Sequence, residues 1–218
     1  MKGFFVTFEG IEGSGKTTQI NLFANFLEKN NYDYLITREP GGTFIGDQIR
    51  AILLNPKNIK MDPITEIFLY TASRVQHLAE LIKPALAAGK IVVCDRFLDS
   101  TLAYQGYGRG ISINFIEELN RLILDGVEPD LTFLLDIPPE IGVPRARMVK
   151  NDSCSLNGDR IERENMDFHQ RVRMGYLRIA AENPERIKII NGNRPADEIN
   201  KLISAHFEEV YAKILTNK

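Results

Sequence analysis

Eight residues near the start of the chain, Gly10-Ile11-Glu12-Gly13-Ser14-Gly15-Lys16-Thr17, match the phosphate-binding pattern G-x-x-x-x-G-K-[ST] in full. This pattern constrains the fold as much as the ligand, because it works only between a strand and a helix. Both neighbours are present: the apolar run Phe4–Phe8 precedes it and the amphipathic run Thr18–Leu27 follows. The glycines let successive backbone N–H groups turn inward around an oxyanion, at the positive end of the next helix. In this arrangement Lys16 bridges the terminal phosphates of a nucleoside triphosphate and the Thr17 hydroxyl ligates Mg²⁺. Gly10, Ile11, Glu12, Gly13, Ser14, Gly15 and Thr18 complete the cradle. Switches, motors and small-molecule kinases all use this loop, so its presence does not choose between them.

Elsewhere, short apolar runs alternate with longer amphipathic ones, the pattern of a parallel sheet covered by helices. Strands are expected at Phe4–Glu9, Tyr34–Thr37, Ile91–Asp95, Leu131–Asp136 and Ile187–Ile190. Helices are expected near Thr17–Lys29, Ile45–Leu54, Pro63–Ala88, Ile113–Leu124, Pro139–Lys150, Asp167–Ala181 and Ala196–Ile214, with a kink or break before Pro84. The fold class is therefore α/β: a three-layer P-loop NTPase-type fold whose five-stranded parallel sheet is flanked by helices. Residues 1–218 read as a single unit, long enough for one substantial core. The polar segment Asn151–Gly158 has arginines on both sides, and reads either as a surface loop or as part of a mobile lid over a phosphate site, at about 145–164.

The formal net charge of −2 offers no basic field for a nucleic-acid polymer, so bound phosphates must be held by local groups. Cys94 ends an apolar run and reads as a buried thiol, whereas Cys154 lies in a polar stretch and reads as exposed; reduced thiols are expected. No apolar run approaches the ~20 residues that span a bilayer, and no signal-peptide pattern opens the chain. A cytoplasmic setting is expected.

Cations and acids at strand ends narrow the chemistry. Asp95 ends an apolar run and is followed by Arg96, so an acid that can hold a magnesium-bound water stands beside a guanidinium suited to phosphate. Asp136 is followed by Ile-Pro-Pro and reads as a structural strand end. Arg38 opens the loop Arg38-Glu39-Pro40-Gly41-Gly42-Thr43, and Arg74 falls inside a largely apolar helix, where an unpaired guanidinium is costly. Together with the phosphate loop, these arginines point to a second phosphate site facing the first.

The run Phe8–Gln19, the Arg38–Thr43 loop and Asp95-Arg96-Phe97-Leu98-Asp99-Ser100-Thr101-Leu102-Ala103-Tyr104-Gln105-Gly106 closely resemble the motifs of bacterial thymidylate kinases. Arg145–Arg147 with Asp159-Arg160-Ile161-Glu162 resembles their lid, and Phe168–Ala181 the helix that follows it. The resemblance implies transfer of the γ-phosphoryl group of ATP to dTMP, with Mg²⁺ as cofactor, in a homodimer. It also implies roles by position. Arg38 and Arg96 hold the dTMP phosphate, Arg74 hydrogen-bonds thymine, Thr101 lies where a base-contacting polar residue is expected, and Gln105 is among the substrate-binding residues. Tyr70, one turn before Arg74, stacks on the base in a place more often held by Phe. Glu12 reaches the 3′-hydroxyl, and Tyr104 lies under the sugar. The phosphate loop has no arginine of its own, so Arg145 and Arg147 are expected to supply the catalytic cations beside Lys16 and Arg96.

Such a reaction needs no general base, because a phosphate monoester is already nucleophilic at neutral pH. The histidines His77, His169 and His206 accordingly read as structural or solvated. A deoxynucleoside kinase, by contrast, gains nothing from the Arg38–Arg96 pair. A guanine-reading switch needs N-K-x-D, and Asn200-Lys201-Leu202-Ile203 lacks the acid.

Overall fold

The computed structural model describes residues 3–151 and 158–216. Its centre is a five-stranded sheet in the order β2-β3-β1-β4-β5. The strands are β1 (Phe4–Glu9), β2 (Tyr34–Arg38), β3 (Ile91–Asp95), β4 (Leu131–Asp136) and β5 (Ile187–Asn191). Every neighbouring pair is parallel. β1 is buried at every position, which is why it reads as an unbroken apolar run. On the edge strands, Ile36 and Ile189 stay exposed.

Helices cover both faces. On one face α1 (Lys16–Lys29) and α9 (Ala196–Thr216) pack Phe23, Ile203 and Phe207 against Phe4, Val6, Phe8 and Phe133. On the other, α3 (Pro63–His77), α6 (Ile113–Leu124) and α8 (Met166–Glu182) pack Ile67, Ile116 and Val172 around Phe5, Val92 and Leu134. Cys94 is buried in this second core, as expected, while Cys154 and most of the Asn151–Gly158 segment lie outside the described residues. Among the described residues no helix is long and apolar enough to cross a membrane.

Side chains mark the helix starts. Thr43 Oγ1 accepts from Gly46 N at the head of α2 (Phe44–Leu54), and Asn165 Oδ1 accepts from Phe168 N at the head of α8. The expected break before Pro84 takes a definite form. A π-helical turn, Leu78–Ile82, joins α3 to α4 (Lys83–Ala87). Proline lacks an N–H and crowds the carbonyl four residues earlier, and the wider turn accommodates both.

One helical stretch has no counterpart in the sequence reading. After the short α5 (Leu98–Thr101), the π-helical segment Leu102–Gly108 runs beneath the site and is buried along most of its length. A helix covered on all sides has no amphipathic period to detect. Gly108 is required there, because a Cβ would lie 2.7 Å from the Phe168 ring of α8.

The sheet topology sets up the site. Strand order reverses at β1, with β3 on one side and β4 on the other, and α/β sheets bind ligands in the crevice outside such a point. The parallel register brings Phe8 beside Asp95, and Arg38 beside Asp95 from the other flank. The phosphate loop, Arg38 and Asp95–Arg96 thus meet at one edge.

Candidate active site

The phosphate loop follows β1 directly. Gly10, Gly13 and Gly15 take positive φ values of 135°, 70° and 95°, which side-chain-bearing residues avoid. Gly13 has a second constraint, since a Cβ there would run into the carbonyl of Gly142 on α7 (Pro139–Asn151). Lys16 folds back over the loop: Nζ donates to the carbonyls of Gly10 at 3.0 Å and Ile11 at 2.9 Å. Burial and the Arg96 charge press its pKa down to about 8. Thr17 and Thr18 are exposed on the first turn of α1.

Beside the loop lies a cleft of about 240 Å³. Its walls include Glu12, Lys16, Thr17, Arg38, Tyr70, Arg74, Asp95, Arg96, Thr101, Tyr104 and Gln105. The sequence-derived acceptor residues, scattered over the chain, therefore share one wall system with the phosphate-loop lysine.

Arg74 is almost wholly buried, and its charge is compensated. Nε donates to Glu39 Oε2 at 2.8 Å, Nη1 to Asn120 Oδ1 at 3.3 Å, and Nη2 to the Phe97 carbonyl at 3.0 Å and Thr101 Oγ1 at 2.9 Å. Glu39 also meets His77 Nδ1 at 3.0 Å, and His77 Nε2 lies 2.6 Å from Thr37 Oγ1, which makes His77 a structural group. Arg38 is exposed and pairs with Asp47 at 3.1 Å. Gln105 donates to Glu66 Oε1 at 2.7 Å. Asp136 is held by Arg173 through contacts of 2.7 and 2.9 Å, in keeping with a structural strand end.

Glu12 is the meeting point of the cleft. Its Oε1 accepts from the Tyr104 hydroxyl at 2.6 Å and from Arg96 Nη2 at 3.1 Å. Burial pushes this carboxyl up, but His169, Arg96, Lys16 and the Tyr104 hydroxyl outweigh it and hold it well below the usual range. The His169 contribution is the loosest: Nδ1 stands 3.5 Å from Oε2, and neither atom has a hydrogen bond among the described residues. The Arg96 and Lys16 charges and the Tyr104 hydrogen bond act in the same direction.

A family model described as "Thymidylate kinase" matches residues 8–203. A thymidylate kinase of Clostridium novyi (strain NT) is 50% identical over 209 residues, 96% of this chain and 97% of that protein. One of Geotalea uraniireducens (strain Rf4) is 51% identical over 203 residues, 93% of this chain and 95% of that protein. The crystal structure of thymidylate kinase from Ehrlichia chaffeensis superposes with a TM-score of 0.75 at 37% identity, covering 95% of this chain and 99% of that one.

The chain belongs to the thymidylate kinase family.

Not every expected residue of this thymidylate kinase family member reaches the cleft. From α7 it is Ala146 that lines the wall, not its neighbours Arg145 and Arg147. Arg145 Nη2 donates to Asn193 Oδ1 at 2.8 Å, and Arg147 Nη2 to the Glu162 carbonyl at 2.9 Å. Arg160, in the segment that resembles the family's lid, is fastened down. Arg160 Nε donates to the Leu53 carbonyl at 2.7 Å and Nη1 pairs with Glu66 at 2.6 Å, so this segment is tied to α2 and α3.

Other cleft residues escaped the sequence reading. Arg50 of α2 lines the wall and donates to the Pro40 carbonyl at 2.9 Å; burial and the Arg38 charge lower its pKa. Its signal was available: like Arg74, it is a cation within a largely apolar helix. Ser100 and Glu39 fell inside the quoted motifs but were given no role, because a buried partner group looks like any surface polar residue in sequence.

Proposed function

We propose that this protein transfers the γ-phosphoryl group of ATP to dTMP, giving dTDP and ADP. The observation that carries the reading is the single cleft that joins Lys16 of the phosphate loop to Arg38, Arg74 and Arg96. A nucleoside monophosphate needs a base site and a phosphate site within reach of the donor, and the same cleft holds the buried Arg74–Thr101 pair and the cations Arg38 and Arg96.

An oxygen of the dTMP phosphate attacks the γ-phosphorus, the bond to the β-phosphate bridging oxygen breaks, and ADP leaves. The attacking oxygen is already anionic, so the protein's task is alignment and charge neutralisation. Arg38 and Arg96 hold the acceptor phosphate, with Arg50 as a further cation at that end. Tyr70 stacks on thymine, and Arg74, Thr101 and Gln105 define the base edge. Glu12 accepts from the 3′-hydroxyl while Tyr104 walls the sugar. Lys16 leaves the loop carbonyls for the phosphates as ATP enters. Arg145 or Arg147 supplies charge from α7 once it turns from its present partner.

Mg²⁺ fits the donor set. Asp95 Oδ1 is buried with no hydrogen-bond partner among the described residues, which suits a carboxylate that would accept a hydrogen bond from a metal-bound water. Thr17 lines the same cleft. Mg²⁺ keeps several waters and leans on substrate phosphates, so it needs few protein ligands. Bound there, it would neutralise charge on the transferring phosphates.

The enzyme acts as a homodimer in the cytoplasm in this reading. Supporting the dimer, Phe44 and Ile52 of α2 and Phe68 and Val75 of α3 leave large apolar surfaces exposed on packed neighbours. Sedimentation at micromolar concentration tests it, a monomer being the adverse result. The activity itself is tested with a panel of nucleoside monophosphates, ATP and Mg²⁺: dTMP is expected to be preferred, dUMP weaker, and AMP, CMP and GMP poor. Faster phosphorylation of AMP or GMP than of dTMP would refute it.

A further inference from the structure

Arg96 stands at φ 72°, in the left-handed region that a residue with a Cβ occupies at a cost. Such a conformation persists where the surroundings hold it, and this guanidinium is held from several sides. Nη2 donates to Glu12, and the group lies 5.0 Å over the Tyr104 ring. The remaining hold comes from Ser100, which lines the cleft, and from Tyr176, which does not. Nη1 donates to the Tyr176 hydroxyl at 3.0 Å and to Ser100 Oγ at 3.3 Å.

Tyr176 is on α8, is 3% exposed and does not line the cleft, so it does not touch a molecule bound there. Its hydroxyl is fixed in turn. It donates to Glu9 Oε2 at 2.8 Å, and Ser100 Oγ donates to the same oxygen at 2.6 Å. Glu9 ends β1 and is itself anchored by the Phe97 N–H at 2.7 Å. Ser100 Oγ and the Tyr176 hydroxyl also lie 2.7 Å apart, either able to donate to the other, so Glu9, the two hydroxyls and Nη1 form one closed network. The guanidinium is thereby oriented rather than merely packed.

We propose that Tyr176 is a positioning residue for Arg96: its hydroxyl, aimed by Glu9, fixes the guanidinium edge that meets the acceptor phosphate. The inference rests on the role of Arg96 given above. It makes α8, the helix that follows the lid, a determinant of phosphate recognition without any contact to substrate.

The test is calorimetric binding of dTMP and of thymidine, which lacks the phosphate, to wild type, Tyr176→Phe, Arg96→Lys and the double variant. Working at pH 8 keeps Glu9 ionised, since burial and Asp99 push its pKa only up to about 7. Tyr176→Phe keeps the ring and removes the hydroxyl. It is expected to weaken dTMP about tenfold, the scale of one hydrogen bond to a charged group, and to leave thymidine nearly unchanged. In the Arg96→Lys background it should add nothing, because lysine cannot present the same fork. Equal weakening of dTMP and thymidine, or the same loss in both backgrounds, would overturn the proposal. A Tyr176→Phe chain that does not fold would also overturn it, by making the hydroxyl structural. If Arg96→Lys leaves dTMP binding intact, the acceptor role of Arg96 fails; if only Tyr176→Phe is silent, the positioning role alone fails.

Discussion

The Tyr104 hydroxyl donates to Glu12 Oε1 at 2.6 Å, which ties the π-helical segment under the cleft to the phosphate loop. Tyr104 therefore has two separable parts. Its ring lies against Arg96 and forms edge contacts with Phe168 and Tyr176, while its hydroxyl orients Glu12. Tyr104→Ala removes both, and is expected to narrow the kcat/KM ratio of dTMP over its ribo-counterpart. Apolar pockets reject an added hydroxyl by about 10²-fold at most, so a wider wild-type ratio would point to this rigid wall. Tyr104→Phe keeps the wall, and should lower kcat/KM for both substrates with the ratio preserved. An unchanged ratio in Tyr104→Ala would remove the ring from sugar selection.

Lys16 is held by its own loop through the carbonyls of Gly10 and Ile11. Lys16→Ala therefore loses a contact within the loop as well as the cation. The fold should survive, because the loop is shaped by glycines and by the sheet, and circular dichroism checks this. Turnover should fall about 10²–10³-fold, the usual loss for one preorganised donor. Near-normal turnover in a folded variant would end the case for Lys16.

Arg145 and Arg147 flank Ala146, which lines the cleft, yet each is bonded elsewhere, to Asn193 and to the Glu162 carbonyl. Replacing both with Ala should abolish most activity, since a transition-state arginine is worth about 10³–10⁵ in turnover. Calorimetric binding of dTMP should change little. Collapse of dTMP binding would instead assign them to the acceptor site. Asn193→Ala, which frees Arg145 without touching the cleft, should not lower turnover if Arg145 must leave Asn193 to act.

The contrast between these sites says what a sequence discloses. The strands of the buried sheet were legible because burial on both faces leaves continuous apolar runs, and the phosphate loop because glycine spacing is itself its geometry. Arg74 was legible as a cation out of place on an apolar helix. Its stabilising partners, Glu39 and Asn120, were not, because they come from a loop and another helix that only the fold brings near. The Leu98–Gly108 region was recognised by resemblance as a motif but not as a helix, because it is enclosed and shows no polar face. The α7 arginines flank a residue that lines the cleft, and no spacing rule could say that their side chains turn to Asn193 and Glu162 instead.

Glu9 gives a prediction about stability rather than rate. Burial, then the charge of Asp99, raises its pKa from 4.5 to about 7, against the opposing effects of Arg96, Ser100 and the Phe97 N–H. The folded chain thus keeps this proton up to about pH 7, while the unfolded chain gives it up near 4.5. Between those values the folded state binds more protons, so stability falls as pH rises. The group's contribution is complete below 4.5 and lost once pH passes about 7. The loss is on the order of 3 kcal/mol across that window, from about 1.4 kcal/mol per pKa unit. Glu12, whose pKa is lowered, acts in the opposite sense at lower pH, so measurements from pH 5 upward leave it aside. Glu9→Gln keeps the size of the side chain and a carbonyl acceptor for Ser100 and Tyr176, but cannot titrate. Urea unfolding of both proteins between pH 5 and 8 should give a wild-type stability that declines relative to the variant as pH rises. Parallel curves across this range would mean that Glu9 is ionised throughout, held by Arg96 and its hydrogen bonds against burial.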